Sequence, residues 1–140
     1  MEDVRVTWGQ VEPEELERIV VLSPHFDDAA MGAGLTLLRH AGAATTVMTV
    51  FGGRPPSYPD PPSPWDALGG FGAGDDVVAA RREEDRAAMA VLGADHRWLD
   101  FADHQYLAED ARPSAPAVAE SMQEALLDKG PARLRPPARF

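Results

Sequence analysis

Short apolar runs alternate along the chain with longer stretches of helical periodicity. Residues 18–23, RIVVLS, are apolar and largely β-branched, which indicates a strand covered on both faces. Residues 29–40 follow with a helical pattern, and residues 44–51, ATTVMTVF, form a second strand-like run. A strand, a helix and a strand in close succession predict a βαβ unit with parallel strands.

The second strand is followed by an irregular segment, residues 52–76, which is rich in proline and glycine. We expect a long loop there, at the carboxyl end of a strand, where α/β sheets bind ligands. A helix over 77–92, a strand over 96–101 and a helix over about 115–129 complete the predicted elements. The pattern predicts an α/β fold: one Rossmann-like, three-layer domain over 1–140 with a mostly parallel sheet. The tail 131–140, PARLRPPARF, is basic and atypical.

Composition narrows the classes of partner. The 140 residues suit one domain, and the net charge of −10 gives a surface that repels phosphate backbones and anionic lipid. We therefore expect neither nucleic acid nor membrane as a partner. The N-terminal residues lack the pattern of a signal peptide, so a cytoplasmic location is expected. Because the chain has no cysteine, a metal would have to use histidine, aspartate or glutamate as ligands.

Candidate chemistry is concentrated directly after the first predicted strand, at His25, Asp27 and Asp28. Unpaired buried carboxylates are costly, and a zinc ion would relieve that cost by taking an imidazole nitrogen and one carboxylate oxygen. The other carboxylate could then accept a proton from water. Spacing alone leaves open which aspartate has which role. It also leaves open that the aspartates cap the next helix and that His25 is a loop residue.

The stretch SPHFDDAAMGAG resembles the Pro-His-x-Asp-Asp signature of the LmbE-like, or PIG-L, family of zinc-dependent N-acetylglucosamine deacetylases. The resemblance covers about residues 18–107. It includes ARREEDRAAMAVLGA, which is similar to the family's Arg-x-x-Glu helix, and WLDFADHQY, which is similar to its Asp-x-x-Tyr turn. It implies hydrolysis of the N-acetyl group of an amino-sugar conjugate, with Zn²⁺ as cofactor and a small acetylated conjugate as substrate.

The matching positions imply a role for each motif residue. In the first motif, His25 and Asp28 would be the metal ligands and Asp27 the catalytic base. In the helix motif, Arg81 would bind substrate. Glu84 lies three residues later, on the same face of the predicted helix. The alternative to a functional role is that Arg81 and Glu84 form an ordinary ion pair on the helix surface.

The turn motif contributes Asp103 and Tyr106, which would border the pocket as substrate-binding residues; an ordinary surface turn is the alternative. The loop 52–76 would select the acetylated substrate. Its aromatic residues Tyr58, Trp65 and Phe71 could stack on a sugar or simply pack the loop down.

Two departures from the family pattern affect the predicted site. Ala29 stands where the family has glutamate, and loss of that carboxylate would weaken the orientation of the ligands. Family members are also longer and supply a third ligand from a distal His-x-x-His or His-x-Asp-His motif, which this sequence lacks. We therefore expect that the C-terminal part of the fold is missing. The sheet edge left unpaired would favour aggregation or a homo-oligomer.

Substitutes for the third ligand are few. His40 lies at the far end of the first predicted helix, and His96 stands at the start of the third predicted strand, at the opposite edge of the sheet. His104 follows that strand and is the one candidate on the correct edge.

Two other classes of function are alternatives to a deacetylase. A dinucleotide-binding site is disfavoured, because the glycines of GAG, residues 32–34, fall inside a helix and the aspartates would repel a pyrophosphate. The remaining alternative is a non-catalytic, truncated remnant that binds metal weakly or acts only as an interaction domain.

Overall fold

The computed structural model describes residues 17–128, which form a three-stranded sheet and four helices. The N-terminal segment 1–16 and the atypical tail 131–140 lie outside the described residues. The elements in chain order are β1 (Arg18–Ser23), α1 (Asp28–Arg39), β2 (Ala44–Thr49), α2 (Pro64–Leu68), α3 (Val77–Leu92), β3 (Asp95–Trp98) and α4 (Ala115–Leu127).

The three strands are parallel and lie in the order β1-β2-β3. Ser23 pairs with Thr49, and Thr49 with Trp98, so all three strands end at the same edge of the sheet. The predicted βαβ unit and parallel α/β fold are confirmed. The motif residues that follow β1 and β3 therefore lie at this edge.

Helices cover the two faces of the sheet unequally. On one face, α1 and α3 pack on the sheet around a core of Ala29, Leu37, Val47 and Met89. On the other face, α4 packs through Ala125 against Met48 and Leu99. Val47 and Met48 are neighbours in β2, and their side chains enter opposite cores because side chains alternate along a strand. The result is the expected three-layer arrangement.

The predicted bounds differ from the structure mainly after β2 and β3. Both strands are shorter than expected, since the regular ladder ends at Thr49 and at Trp98. Beyond them the two chain segments stay in contact through isolated bridges, one of which joins Gly53 to Ala102. A Cβ atom at Gly53 would lie 2.6 Å from the backbone carbon of Asp100, so glycine permits this approach. The helix α2 within the loop was not predicted.

Two groups of apolar side chains in the described domain are exposed. Met31 and Leu35 of α1 are 82% and 83% exposed, and Leu38 continues their stripe on the helix. In β1, Val20 and Leu22 are also exposed. Among residues 17–128, β1 is paired along the edge that faces β2 and lies at the end of the sheet. No helix in this part of the chain is long and apolar enough to cross a membrane.

Substitutions in α1 provide a test of this packing. Leu37 is 2% exposed, so Leu37→Ala should lower the free energy of unfolding by about 2–5 kcal/mol through lost burial and a cavity. Leu35→Ala, on the exposed face of the same helix, should change it by less than about 0.5 kcal/mol. Chemical denaturation monitored by circular dichroism measures both. Comparable losses in the two variants would show that the exposed stripe is covered in solution.

Candidate metal and substrate site

The turn after β1 is organised by Ser23, which is fully buried. Its hydroxyl donates a hydrogen bond to the carbonyl oxygen of His25 at 2.6 Å and accepts one from the backbone N–H of Ala29 at 3.0 Å. The second bond satisfies a free N–H in the first turn of α1, which is the usual role of an N-cap side chain. Asp27 occupies the N-cap position, but its side chain makes no capping hydrogen bond. Its carboxylate therefore stays available to the adjacent cavity.

His25 and Asp28 are brought together by this turn. The Nδ1 atom of His25 lies 3.4 Å from Oδ2 of Asp28, which also accepts the backbone N–H of His25 at 2.9 Å. The imidazole stacks on Phe51, with ring centroids 5.5 Å apart. Two donors bound about 2.1 Å from a tetrahedral zinc ion are separated by about 3.4 Å. The donor types and their spacing thus fit two adjacent ligand positions of zinc.

A third ligand is not found in the described part of the chain. Residues 17–128 contain no group of three or more histidine, aspartate or glutamate side chains placed to hold a metal ion. His104, the candidate expected from the sequence, lies with its ring 4.9 Å from Phe51 but lines a separate cavity beside α4. His40 ends α1, and His96 stacks on Trp98.

A cavity of about 640 Å³ opens beside the turn. Its walls come from the turn after β1, the loop 52–76, helix α3 and the turn after β3. The six residues implied by the sequence motifs all line it: His25, Asp27, Asp28, Arg81, Asp103 and Tyr106.

Arg81 lies on α3 and forms an ion pair with Glu84, with Nη1 2.8 Å from Oε2. Its guanidinium carbon is also 5.3 Å from the ring centroid of Phe71. Both members of the ion pair are exposed, and such pairs contribute little to stability. The guanidinium can therefore leave Glu84 for a polar group of a ligand at small cost.

Tyr106 holds the loop 52–76 in the cavity wall through a hydrogen bond. Its hydroxyl donates to the buried carboxylate of Asp66 in α2, with oxygen distances of 2.9 and 3.1 Å. Burial, and then the adjacent Asp66 carboxylate, raise the pKa of Tyr106 well above its usual value. The phenol is therefore held as a neutral donor to Asp66, and any role in substrate binding is combined with this anchoring of α2.

The three loop aromatics have different surroundings. The hydroxyl of Tyr58 donates to Asp76 at 2.8 Å and accepts the backbone N–H of Val78 at 3.1 Å, so this ring ties the loop to the start of α3. Phe71 packs under Arg81. Trp65 lines the cavity and is 73% exposed, which leaves it available to a ligand.

The sequence does not predict a cluster behind the turn that forms around the buried Asp85. The Nε1–H of Trp98 donates to Oδ2 of Asp85 at 2.7 Å, while Oδ1 of Asp85 is buried without a partner among the described residues. The Trp98 indole also packs against Phe26 in a T-shaped arrangement, with ring centroids 6.2 Å apart. Phe26 lies between His25 and Asp27, so this cluster supports the turn that holds them. Asp85 stands in a run of alternating charges, and nothing in that run marks it as buried.

Asp85 generates a prediction about pH and stability. Burial raises the pKa of its carboxyl group, so the folded protein binds this proton more tightly than the unfolded chain does. The associated stability is present below the ordinary aspartate pKa and is lost as pH rises through the raised value. Asp85→Asn cannot ionise and can keep an acceptor for Trp98. We expect this variant to be more stable than the wild type at neutral pH by about 1 kcal/mol, with the difference vanishing in acid.

Asp76→Asn is the matched control with the opposite sign. Hydrogen bonds from Ala79 and Tyr58 lower the pKa of Asp76, so its charged form stabilises the fold above the ordinary pKa. This variant should lose stability at neutral pH and approach the wild type as pH falls through the lowered value. Urea denaturation at a series of pH values measures both variants. A wild-type advantage over Asp85→Asn at neutral pH would contradict the assigned burial effect.

Comparison with known proteins identifies relatives of this chain. Residues 20–129 match the PIG-L family, described as GlcNAc-PI de-N-acetylase. No curated protein sequence matches the chain. Among solved structures, a deacetylase–teicoplanin complex from teicoplanin biosynthesis is 37% identical, with a TM-score of 0.61, and the match covers 68% of this chain and 38% of that one.

Two further structures show the same likeness. The A40926 pseudoaglycone deacetylase Dbv21 is 35% identical, with a TM-score of 0.65 and coverage of 78% of this chain and 44% of that one. The zinc-inhibited form of teicoplanin deacetylase Orf2 is 38% identical, with a TM-score of 0.60 and coverage of 68% and 37%. The chain spans less than half the length of each of these three proteins. The sequence match and the shared fold together show that the chain belongs to the PIG-L family.

Proposed function

We propose that the cavity is the metal-binding part of an N-deacetylase site, which hydrolyses the N-acetyl group of an amino-sugar conjugate with the help of zinc. The observation that carries this proposal is the meeting of His25, Asp28 and Asp27 at the carboxyl end of β1, inside one cavity. Family membership and the deacetylases among the related structures support the reaction type. The cavity volume of about 640 Å³ is adequate for a small conjugate.

His25 and Asp28 would hold the metal. Their donor atoms have the spacing and chemistry that zinc accepts, and a related structure is a zinc-inhibited form of a teicoplanin deacetylase. Zinc bound there would supply Lewis acidity, which polarises an amide carbonyl and makes water easier to deprotonate.

Asp27 is the proposed general base. Its carboxylate lines the cavity, is exposed and makes no capping hydrogen bond, so it is free to take a proton from the attacking water. The same carboxyl group can return a proton to the amine that leaves. Because Asp27 directly precedes Asp28, the base and the metal ligand are held by a single turn of backbone.

The substrate would lie between this turn and the loop 52–76. Arg81 can donate to a sugar hydroxyl or a carbonyl group once it leaves Glu84. Trp65 offers an exposed ring in the cavity wall, which suits stacking against the apolar face of a sugar. Asp103 and Tyr106 border the same space, as the family motif implies. We propose an acetylated amino-sugar conjugate as substrate.

The second candidate function is a non-catalytic remnant. It is favoured by one specific observation: the described residues supply two donors in place of the three protein ligands that a catalytic zinc site normally has. Zinc stoichiometry together with turnover of an acetylated amino sugar separates the two candidates.

We expect the 140-residue chain to bind zinc weakly and to deacetylate slowly. Two donors chelate a metal more weakly than three, and this sequence lacks the distal histidine motif, which by family resemblance would also supply a partner for the carbonyl oxygen. Loss of such a partner commonly lowers the rate by about 10²–10³. Zinc titration and amine release from N-acetylglucosamine conjugates should be measured beside a version extended by a C-terminal segment that carries the distal motif. Tight one-to-one zinc and comparable turnover in the short chain would contradict this expectation.

Asp27 and Asp28 should separate into two roles in the extended version. Asp27→Asn should keep zinc and lower turnover by about 10²–10⁴, the usual contribution of a general base. Asp28→Ala should lose zinc and turnover together. The metal content of purified protein and the rate of amine release check both results. Retention of most activity in Asp27→Asn would reject the base assignment.

A further inference from the structure

The imidazole of His25 has a carboxylate at each of its nitrogens. Asp28 lies 3.4 Å from Nδ1, and Asp103 lies 3.4 Å from Nε2 through its Oδ2 atom. The two ring nitrogens point in divergent directions, so the two carboxylates cannot both share one metal ion with the ring. One of the two carboxylates therefore interacts with the imidazole ring and not with the metal ion.

The surroundings of the two carboxylates differ. Asp103 is 25% exposed and is held on both oxygens, because Oδ1 accepts the backbone N–H of Gln105 at 3.1 Å and Oδ2 accepts its side-chain amide at 3.2 Å. Asp28 is 48% exposed, and its hydrogen bond from the His25 backbone also uses Oδ2. Asp103 is thus the fixed group, and Asp28 is the more accessible one.

Asp103 is in turn connected to the loop over the cavity. The hydroxyl of Ser63 caps α2 and donates to Oε1 of Gln105 at 2.6 Å, while the other end of the Gln105 amide donates to Asp103. A continuous chain of polar contacts therefore runs from the start of α2 to the Nε2 atom of His25.

Stacking on Phe51 restrains the plane of the His25 ring, but it does not choose which nitrogen carries the proton. A carboxylate at the second nitrogen of a ligating histidine commonly makes that choice and orients the ring. We propose that Asp103 is a positioning residue: it accepts the Nε2–H of His25 and so leaves the Nδ1 lone pair facing Asp28 as a metal ligand. This assignment differs from the substrate-binding role that the family motif implies for Asp103. Its consequence for zinc rests on the proposed function, whereas the tautomer does not.

The test is nitrogen NMR of His25 in the metal-free, ¹⁵N-labelled chain at alkaline pH. Long-range proton–nitrogen spectra report which ring nitrogen is protonated. We expect the Nε2–H tautomer in the wild type. Asp103→Asn keeps an oxygen to cap Gln105 but can turn an amide N–H toward the ring, so we expect the population to shift toward Nδ1–H. Zinc affinity should fall about 10- to 100-fold in this variant, the usual effect of losing an orienting carboxylate.

Glu84→Gln is the matched control, since it removes one negative charge from the same cavity and does not contact His25. It should leave the tautomer and zinc affinity unchanged. An Nδ1–H tautomer in the wild type overturns the proposal, whatever the variants do. An unaltered tautomer and zinc affinity in Asp103→Asn also overturn it.

The same measurements separate this inference from the proposed function. An Nε2–H tautomer that responds to Asp103→Asn, in a chain that binds no zinc and shows no turnover even when extended, supports the positioning role and rejects the deacetylase. Zinc-dependent turnover combined with an Nδ1–H tautomer supports the deacetylase and rejects the positioning role.

Discussion

The buried hydroxyl of Ser23 is the interaction on which the candidate site depends. It joins the end of β1 to the first turn of α1 and fixes the carbonyl of His25 between them. Because this hydroxyl satisfies the helix N–H, Asp27 and Asp28 need not cap the helix and can direct their carboxylates to the cavity and to His25. Ser23, six residues before Ala29, thus caps the start of the helix. The two aspartate carboxylates are thereby left free for chemistry.

The domain is otherwise well packed on one side and open on another. The core between α1, α3 and the sheet is closed around Val47 and Met89, yet the outer stripe of α1 and the alternate side chains of β1 remain exposed. The exposed row of leucine and methionine on α1 and the exposed apolar side chains of β1 would each gain stability from being covered. The chain spans less than half the length of these related deacetylases.

The sequence was informative wherever structure follows from local pattern. The apolar run of β1 and the periodicity of α3 predicted those elements closely, and the motif around His25 predicted which side chains would meet at the sheet edge. The sequence did not predict contacts between residues that are distant along the chain. Asp66 and Asp85 appear as ordinary surface acids in the sequence, and only the fold brings them to Tyr106 and Trp98. Likewise, the position of His104 beyond Phe51 depends on how the turn after β3 packs.

The contacts from Ser63 through Gln105 to Asp103 connect the loop 52–76 with a proposed metal ligand. Two binding events that share such a connection are thermodynamically linked, so an effect of one on the other has to be reciprocal. If a bound conjugate tightens α2 against Gln105, it strengthens metal binding by the same factor by which the metal strengthens conjugate binding. The affinity of this cavity for its metal would then be a property of the complex with substrate, and differences in loop sequence among relatives would change it without altering any ligand.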